Sequence, residues 1–350
     1  MGRMTLWAAL AVAALTSEAL AGPACAAQTK PLFASDEVIR LTIKGPIPVL
    51  VQRAATSEKP IAGSLAVQGA APETLPVALS ARGITRRQQD VCTFPPIRVE
   101  FPQKPPATSL FRGQKRLKLV THCRPGEGFQ QYVLLEYAAY KLYNLLTPAS
   151  FDVRLAKIDY VDSDGRPIIS RIGYFIEDAD DMARRNDMTR FRTKSRVPVA
   201  QLNAHDAARF VLFQNMIGNL DWAMTAGPAG TDCCHNARLI GADGATTNFT
   251  PVPYDFDFSG MVDAPYATPP AQIKIPNVRV RRYRGYCRHN EEAQAVAADL
   301  SARRTSLLAV IGAIPQLDAP MRQKATAYLG GFFDQIGSQA GVADLLKACV

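Results

Sequence analysis

The chain has 350 residues, of which 47% are hydrophobic and 20% are charged, and its formal net charge is +9. This is the composition of a globular protein, and it excludes a disordered or low-complexity chain. The length is sufficient for one large domain or two small ones.

The first 26 residues have the pattern of a secretory signal peptide. Arg3 precedes an apolar run from residue 6 to residue 15, and small residues follow it. Cleavage after Ala21 and cleavage after Ala26 both fit this pattern. The apolar run is too short to span a bilayer. We therefore expect an exported protein, periplasmic or extracellular, with no transmembrane segment after cleavage.

Six cysteines remain if Cys25 is removed with the signal peptide, and they predict up to three disulfides of undecided pairing. A zinc site is the alternative, although the spacings are irregular and only His235 lies near the Cys233-Cys234 pair. These two neighbours are expected to bridge to other cysteines. Cys349 lies one residue from the end and predicts a bridge that holds the C-terminal tail. The six are Cys92, Cys123, Cys233, Cys234, Cys287 and Cys349.

Residues 27–109 are rich in proline and in short alternating apolar runs, which favours antiparallel β structure. The runs 37–44 and 48–52 predict a hairpin that turns at Gly45-Pro46. No residue pattern here indicates a chemistry, so we interpret the segment as a β-rich extension.

Residues 110–178 begin with a predicted strand in which Lys118 faces away from Leu117 and Leu119, and Lys115 is the alternative functional lysine. The run 130–146 has helical periodicity with Glu136 in its middle. Two strands, 151–161 and 167–176, follow and are joined by an Asp-Ser-Asp-Gly turn.

A basic segment lies between residues 187 and 197, and helices are predicted after it. The segment contains Arg190 and Arg192 and is either a solvated loop or part of a groove for acidic groups. A helical segment is predicted within residues 199–220, and its apolar run ends at Gly218. The ranges 290–315 and 318–336 are also predicted to be helical.

Three polar motifs lie at the ends of apolar runs between residues 219 and 257, and the second of them comes after a polar loop and before an apolar run. They are Asn219-Leu220-Asp221, His235-Asn236 and Asp255-Phe256-Asp257. In phosphoryl transfer, one carboxylate orients the attacking group, while a carboxamide and further carboxylates hold Mg²⁺ against the phosphates. Two carboxylates around a phenylalanine, directly after a buried strand, would be costly there without a cation or hydrogen-bond donors.

This order of motifs resembles the catalytic and metal-binding segments of atypical protein kinases of the CotH spore-coat type, and more distantly of HipA-type and secreted kinases. The resemblance implies that Asp221 is catalytic and that Asn236 and Asp255 or Asp257 bind the metal. It also implies that Lys118 and Glu136 act on the phosphates of a nucleotide and that the segment at Glu177 binds its base. The chain departs from the pattern because it has no His-Arg-Asp motif and because the gap from Asp221 to Asn236 is long. It has no glycine-rich phosphate loop, which CotH-like proteins do not show either.

The resemblance implies an α+β, bilobal protein-kinase-like fold. The segment 110–178 would form the small lobe and 179–350 the helical large lobe, behind the β-rich extension at 27–109. The implied function is that of an exported kinase that uses ATP with Mg²⁺ or Mn²⁺ and phosphorylates a hydroxyl of a protein or of an acidic or glycan substrate. Export argues against a nucleic-acid partner.

Two other functions fit the same residues. The first is an inactive kinase-like protein that acts as a binding partner or adhesin at the cell envelope, which the missing glycine-rich loop favours. The second is a metal-dependent hydrolase in which Asp255 and Asp257 share one ion, because residues two apart on an extended segment face the same way.

Overall fold

A computed structural model describes residues 1–2, 29–69 and 71–350. The predicted signal peptide and Cys25 lie almost wholly outside the described residues. Seven strands form a closed barrel in the order β1-β2-β3-β4-β5-β7-β6. The strands are β1 (Ile39–Lys44), β2 (Ile61–Gln68), β3 (Glu73–Ala81), β4 (Ile97–Glu100), β5 (Arg116–Val120), β6 (Val153–Val161) and β7 (Pro167–Ile176).

The prediction of a bilobal protein-kinase-like fold behind a β-rich extension is wrong. The region expected to be an extension supplies β1 to β4, and these strands close into one barrel with β5 to β7. The closing pair is β1 with β6, which run parallel with Ile39 opposite Ala156. The boundary predicted at residue 109/110 therefore falls between two neighbouring strands of the barrel. Closure leaves no strand edge unpaired, which protects a sheet from pairing with other chains.

The barrel closes because its strands alternate between buried and exposed side chains. In β1, Ile39, Leu41 and Ile43 are buried while the residues between them face outward. Leu117 and Leu119 of β5 join the same interior core, and Lys118 between them belongs to the outer face. The interior is filled by branched and aromatic side chains, as in other small barrels.

Eight helices and a small antiparallel sheet complete the described part of the chain. The sheet has the order β10-β9-β8, formed by β8 (Thr189–Phe191), β9 (Ala237–Gly241) and β10 (Thr250–Pro253). No described helix is long and apolar enough to cross a membrane. The helices are α1 (Ile47–Arg53), α2 (Phe129–Leu146), α3 (Ala179–Arg185), α4 (Ala204–Ile217), α5 (Asn290–Ala302), α6 (Arg304–Ala313), α7 (Ala319–Ile336) and α8 (Gln339–Leu346).

The hairpin predicted at Gly45-Pro46 is wrong, because the second half of that segment is helix α1. Pro46 is the N-cap of this helix and Pro48 lies in its first turn. Proline suits the first turn of a helix, where its fixed φ is already helical and its missing N–H has no partner to lose.

Helices α2 and α4 are confirmed and organise a second core outside the barrel interior. Helix α2 packs against β7 of the barrel on one side and against α6 on another. Helix α4 begins at Asn203, whose side chain accepts a hydrogen bond from the backbone N–H of Asp206. It ends at Gly218, which has φ of 67°. A Cβ at this position would lie 1.9 Å from the Tyr328 hydroxyl, so both conformation and space require glycine.

Three disulfides join the six cysteines of the described chain: Cys92–Cys123, Cys233–Cys234 and Cys287–Cys349. The expected bridge at Cys349 is confirmed, and it holds the C-terminal tail to the segment before α5. The expectation that Cys233 and Cys234 bridge elsewhere is wrong, because they pair with each other. Three disulfides are compatible with an exported protein.

His122, directly after β5, makes stability depend on pH. Its side chain is 1% exposed and its ring lies 4.4 Å from that of Phe94. Burial, with smaller contributions from Arg171 and Arg86, lowers the pKa of His122 to about 3. Since the unfolded chain then binds a proton at higher pH than the folded chain, the stability contributed by neutral His122 is present above about pH 6.5 and is lost as the pH falls towards 3.

When the pH is lowered from 7 to 5, we expect the free energy of unfolding of the His122→Leu variant to fall by about 2 kcal/mol less than that of wild type. The difference accumulates at about 1.4 kcal/mol per pH unit below pH 6.5. Urea denaturation of both proteins at the two pH values measures this difference. Equal losses of unfolding free energy in the two proteins would show that the pKa of His122 does not differ between the folded and the unfolded chain.

Candidate functional site

Asp221 is fixed by the loop that follows helix α4. The side chain of Asn219 accepts a hydrogen bond from the backbone N–H of Asp221 at 3.0 Å. Trp222 is buried, and its indole N–H donates to the backbone oxygen of Asn219 at 2.9 Å. The loop is thus anchored on both sides of Asp221, whose carboxylate borders a cleft.

His235 and Asn236 both contact Asp221 and come from the segment immediately before β9. The amide of Asn236 donates to the backbone oxygen of Asp221 at 2.7 Å and to its Oδ2 at 3.0 Å. His235 Nε2 lies 2.7 Å from Asp221 Oδ1, and this hydrogen bond raises the pKa of His235. The structure therefore brings the first two polar motifs together, and it adds His235 to the predicted pair.

Asp255 and Asp257 follow β10, with Phe256 buried between them. The Phe256 ring lies 4.7 Å from that of Tyr140 and 5.5 Å from that of Phe213, on helices α2 and α4. The backbone N–H of Asp255 donates to the Tyr140 hydroxyl at 3.0 Å, and Asp255 has φ of 66°. The buried ring and this hydrogen bond fix the segment against α2.

Glu136 lies on α2 and forms an acidic trio with Asp255 and Asp257. One carboxylate oxygen from each residue can be chosen so that all three lie within 4.8 Å of one another. Glu136 and Asp257 are buried, at 2% and 6% exposure. Burial raises the pKa of both carboxyl groups. The neighbouring carboxylate of Asp257 raises the pKa of Glu136 further, and that of Asp255 raises the pKa of Asp257 further. Such a set is stable when ionised only if a cation is close.

Arg86 is the cation that the structure places beside this trio. Its Nη1 lies 3.9 Å from Glu136 Oε2 and 3.9 Å from Asp257 Oδ2. Its other terminal nitrogen donates to the backbone oxygen of Thr121 at 2.6 Å. Tyr266 completes the surroundings, since its hydroxyl donates to Asp257 Oδ2 at 3.1 Å.

Neither Arg86 nor Tyr266 is predicted from the sequence. Arg86 lies in the short turn Thr85–Arg87, in the region expected to carry no chemistry. Its residue pattern is that of an exposed turn, and the only local signal is Cys92 nearby, which holds this loop to the end of β5 through Cys123.

Lys118 lies over the Tyr254 ring, with Nζ 4.9 Å from its centroid. The structure records an ion pair of Glu136 with Arg86 and, among the described residues, none with Lys118. Burial, with Arg82 and Arg238 adding to it, lowers the pKa of Lys118 to about 7. The alternative, Lys115, is exposed and lines a different cavity.

Glu177 does not join the other predicted residues. It accepts a hydrogen bond from Arg185 at 2.9 Å and another from the backbone N–H of Asp152 at 3.0 Å. These contacts fasten α3 to the start of β6, and Glu177 is not among the residues that line the cleft. Its surroundings are those of a structural ion pair.

The cleft has a volume of about 690 Å³. Of the predicted site residues, the carboxylates of Asp221, Asp255 and Asp257 and the carboxamide of Asn236 border it. Arginines from the loop after β3 and from β8 and β9 line it as well. The charged and polar side chains of its lining include Arg82, Arg86, Arg190, Asp221, His235, Asn236, Arg238, Asp255 and Asp257.

No known family model and no curated protein matches this chain. The resemblance to CotH-type kinases therefore stays a prediction from the motif residues, and function must be argued from the cleft.

The acidic trio has the chemistry of a site for a hard divalent cation. All its donors are carboxylate oxygens, which suit Mg²⁺ and Mn²⁺, whereas structural zinc sites are rich in cysteine and histidine. Three carboxylates at −1 each and Arg86 at +1 leave a charge of −2. One divalent cation would balance that charge.

Proposed function

We propose that the cleft catalyses metal-dependent phosphoryl transfer from ATP, or from another phosphoryl donor, to a hydroxyl group. The observation that carries the proposal is that Asp221 and Asn236 share one cleft with Asp255 and Asp257 of the acidic trio and with several arginines. Phosphoryl transfer depends mainly on positioning and on balancing charge, and these are the groups it requires.

Asp221 is the residue best placed to act on the attacking hydroxyl. It borders the cleft, and its two carboxylate oxygens are oriented by His235 and Asn236. In the proposed reaction, the hydroxyl oxygen bonds to phosphorus, the bond from phosphorus to the leaving phosphate oxygen breaks, and the hydroxyl proton passes to Asp221.

Glu136, Asp255 and Asp257 would hold Mg²⁺ or Mn²⁺, with Asn236 as a further oxygen donor. The bound ion would neutralise charge on the transferred group and its leaving group. Arg86 pairs with the Glu136 and Asp257 carboxylates, and it borders the cleft together with the partly exposed Asp255.

A metal-dependent hydrolase is the second candidate, and the His235–Asp221 hydrogen bond favours it. A carboxylate that is hydrogen-bonded to histidine can accept a proton from a water molecule as well as from an alcohol. The residues are the same in both cases, and only the acceptor differs.

Incubation of the full chain with γ-labelled ATP and Mn²⁺ tests both candidates and the alternative of an inactive binding protein. We expect labelled product on a hydroxyl acceptor and about 10²-fold slower transfer in the Asp221→Asn variant, because a positioned base typically contributes that much or more. Release of labelled inorganic phosphate without transfer would favour the hydrolase.

The binding-only alternative makes a different prediction for the same samples. It requires neither transfer nor phosphate release in wild type, and an unchanged melting temperature after addition of ATP with Mn²⁺. Stabilisation by ATP with Mn²⁺ that exceeds the stabilisation by ATP in EDTA would support the proposed site, since a ligand of the folded state raises its stability.

A further inference from the structure

Two arginines that line the cleft each have a buried hydrogen-bond donor without an acceptor among the described residues. Arg82 and Arg190 both line it, and the Nε–H of each is buried and has no hydrogen-bond acceptor among the described residues. Arg190 pairs with Asp180 through another nitrogen, at 3.4 Å. A buried donor without an acceptor is costly and commonly indicates a missing ligand or water.

Arg238 and Lys118 add to this concentration of positive charge. The guanidinium carbon of Arg238 lies 4.5 Å from the centroid of the Tyr254 ring, and Lys118 Nζ lies 4.9 Å from the same centroid. In the described part of the chain, Arg82, Lys118 and Arg238 form no ion pair. Arg82 and Arg238 are close enough to Lys118 to disfavour its charged form. Like charges gathered in this way destabilise the protein unless an anion joins them.

Arg82, Arg190 and Arg238 line the cleft from different elements, and Lys118 lies with Arg238 at the Tyr254 ring. Arg82 directly follows β3 of the barrel, Lys118 lies on β5, and Arg190 and Arg238 belong to the small sheet. A chain of phosphates presents more anionic oxygens than a single phosphate, so it suits cations that come from several elements. Arginine also suits the geometry of phosphate oxygens, because it presents several N–H donors in a fixed plane.

We propose that Arg82, Arg190 and Arg238 form a polyphosphate-binding cluster that holds the phosphate chain of the donor. This inference rests on the proposed function and extends it. It gives these side chains the task that a glycine-rich loop would otherwise perform. The shared chemistry is the phosphoanhydride chain, which nucleoside triphosphates and inorganic polyphosphates both carry.

Titration calorimetry in EDTA tests the polyphosphate-binding cluster without any metal. The probes are tripolyphosphate, ATP and inorganic phosphate, and the protein is the full chain. We expect tripolyphosphate to bind at least about tenfold more tightly than phosphate. Arg82→Met and Arg190→Met should each weaken the binding of tripolyphosphate and of ATP by about tenfold, since each removes a charge-assisted hydrogen bond.

Arg40→Met is the matched control, because Arg40 is an exposed arginine of the barrel that forms no ion pair in the described part of the chain. It should bind as wild type does. Undetectable binding of tripolyphosphate to wild type, or equal affinity in wild type and both cluster variants, would overturn the proposal. ATP binding that survives both replacements while tripolyphosphate fails to bind would also overturn it, since recognition would then lie on the nucleoside.

The same titration separates this inference from the proposed function. Asp257→Asn removes a carboxylate from the cleft, so it should bind tripolyphosphate in EDTA as well as wild type or more tightly, although it loses transfer. A wild-type protein that binds tripolyphosphate through Arg82 and Arg190 but transfers no phosphate would contradict the proposed function alone.

Discussion

Replacing Asp257 with asparagine is expected to lower phosphoryl transfer by about 10³-fold or more, because a bound metal ion contributes several kcal/mol to such transition states. Asp257 supplies one of the three carboxylates of the acidic trio, and asparagine keeps its size while removing its charge. The affinity for Mn²⁺ should fall in parallel. Both quantities are measurable on one preparation, by label transfer and by calorimetric titration with Mn²⁺.

The stability of this variant gives an independent check. Burial and the neighbouring Asp255 raise the pKa of Asp257, so ionised Asp257 destabilises the metal-free fold. Asp257→Asn should therefore unfold at the same urea concentration as wild type, or at a higher one, at pH 8 in EDTA. A loss of transfer together with retained stability identifies a functional carboxylate.

Asp263→Asn is the matched control for Asp257→Asn. Asp263 lies in the same segment, but it pairs with Lys324 at 2.9 Å and is not part of the acidic trio. It should leave Mn²⁺ affinity and transfer unchanged. If Asp257→Asn binds Mn²⁺ and transfers phosphate as well as this control, the trio is not the metal site.

Local structure was predictable where one element carried its own signal. The helical spacing of apolar residues gave α2, and the polar turn after β6 gave the hairpin of β6 and β7. Barrel closure had no comparable signal, because β1 and β6 pair across more than a hundred residues and neither strand indicates its partner. The apolar run after Gly45 suits a strand or a helix, and proline at the helix start decided the outcome.

In the candidate site, too, some residues were predictable from the local sequence and others depend on the tertiary structure. Asp221, Asn236, Asp255 and Asp257 were identifiable because acidic and amide side chains lie at the ends of apolar segments. The structure gathers them at one cleft. Arg86 was not identifiable, because an arginine in a polar turn has the pattern of a solvated residue. Its burial follows from the path of the loop across the cleft and from the Cys92–Cys123 disulfide, which are properties of the tertiary structure.

The metal site and the polyphosphate-binding cluster depend on each other electrostatically. Without ligands, the acidic trio keeps a formal charge of −2 beside Arg86. The cleft that two of its carboxylates border is also lined by Arg82 and Arg238, which form no ion pair among the described residues. A divalent cation and a phosphate chain supply the two missing charges together, so each should favour binding of the other. Arg86 is the exception, since it is already paired with carboxylates of the trio. Its removal is therefore expected to act first on stability.

Replacing Arg86 with methionine is expected to destabilise the metal-free protein by about 3–5 kcal/mol, because breaking a buried ion pair leaves uncompensated charge. Arg86 is 8% exposed and is the cation recorded beside both Glu136 and Asp257. A divalent cation bound to the same carboxylates would replace part of the lost positive charge. We therefore expect saturating Mn²⁺ to reduce the loss of stability, as measured by urea denaturation with Mn²⁺ and with EDTA.

Arg87→Met is the control, because Arg87 belongs to the same turn but pairs with Glu58 and donates to the backbone oxygen of Ala54. Its loss of stability should be the same with Mn²⁺ and with EDTA. Only Arg86→Met should show a loss that depends on the metal, since only Arg86 shares its carboxylates with the proposed ion. If Mn²⁺ restores neither variant, Arg86 contributes to packing alone and does not balance the charge of the acidic trio.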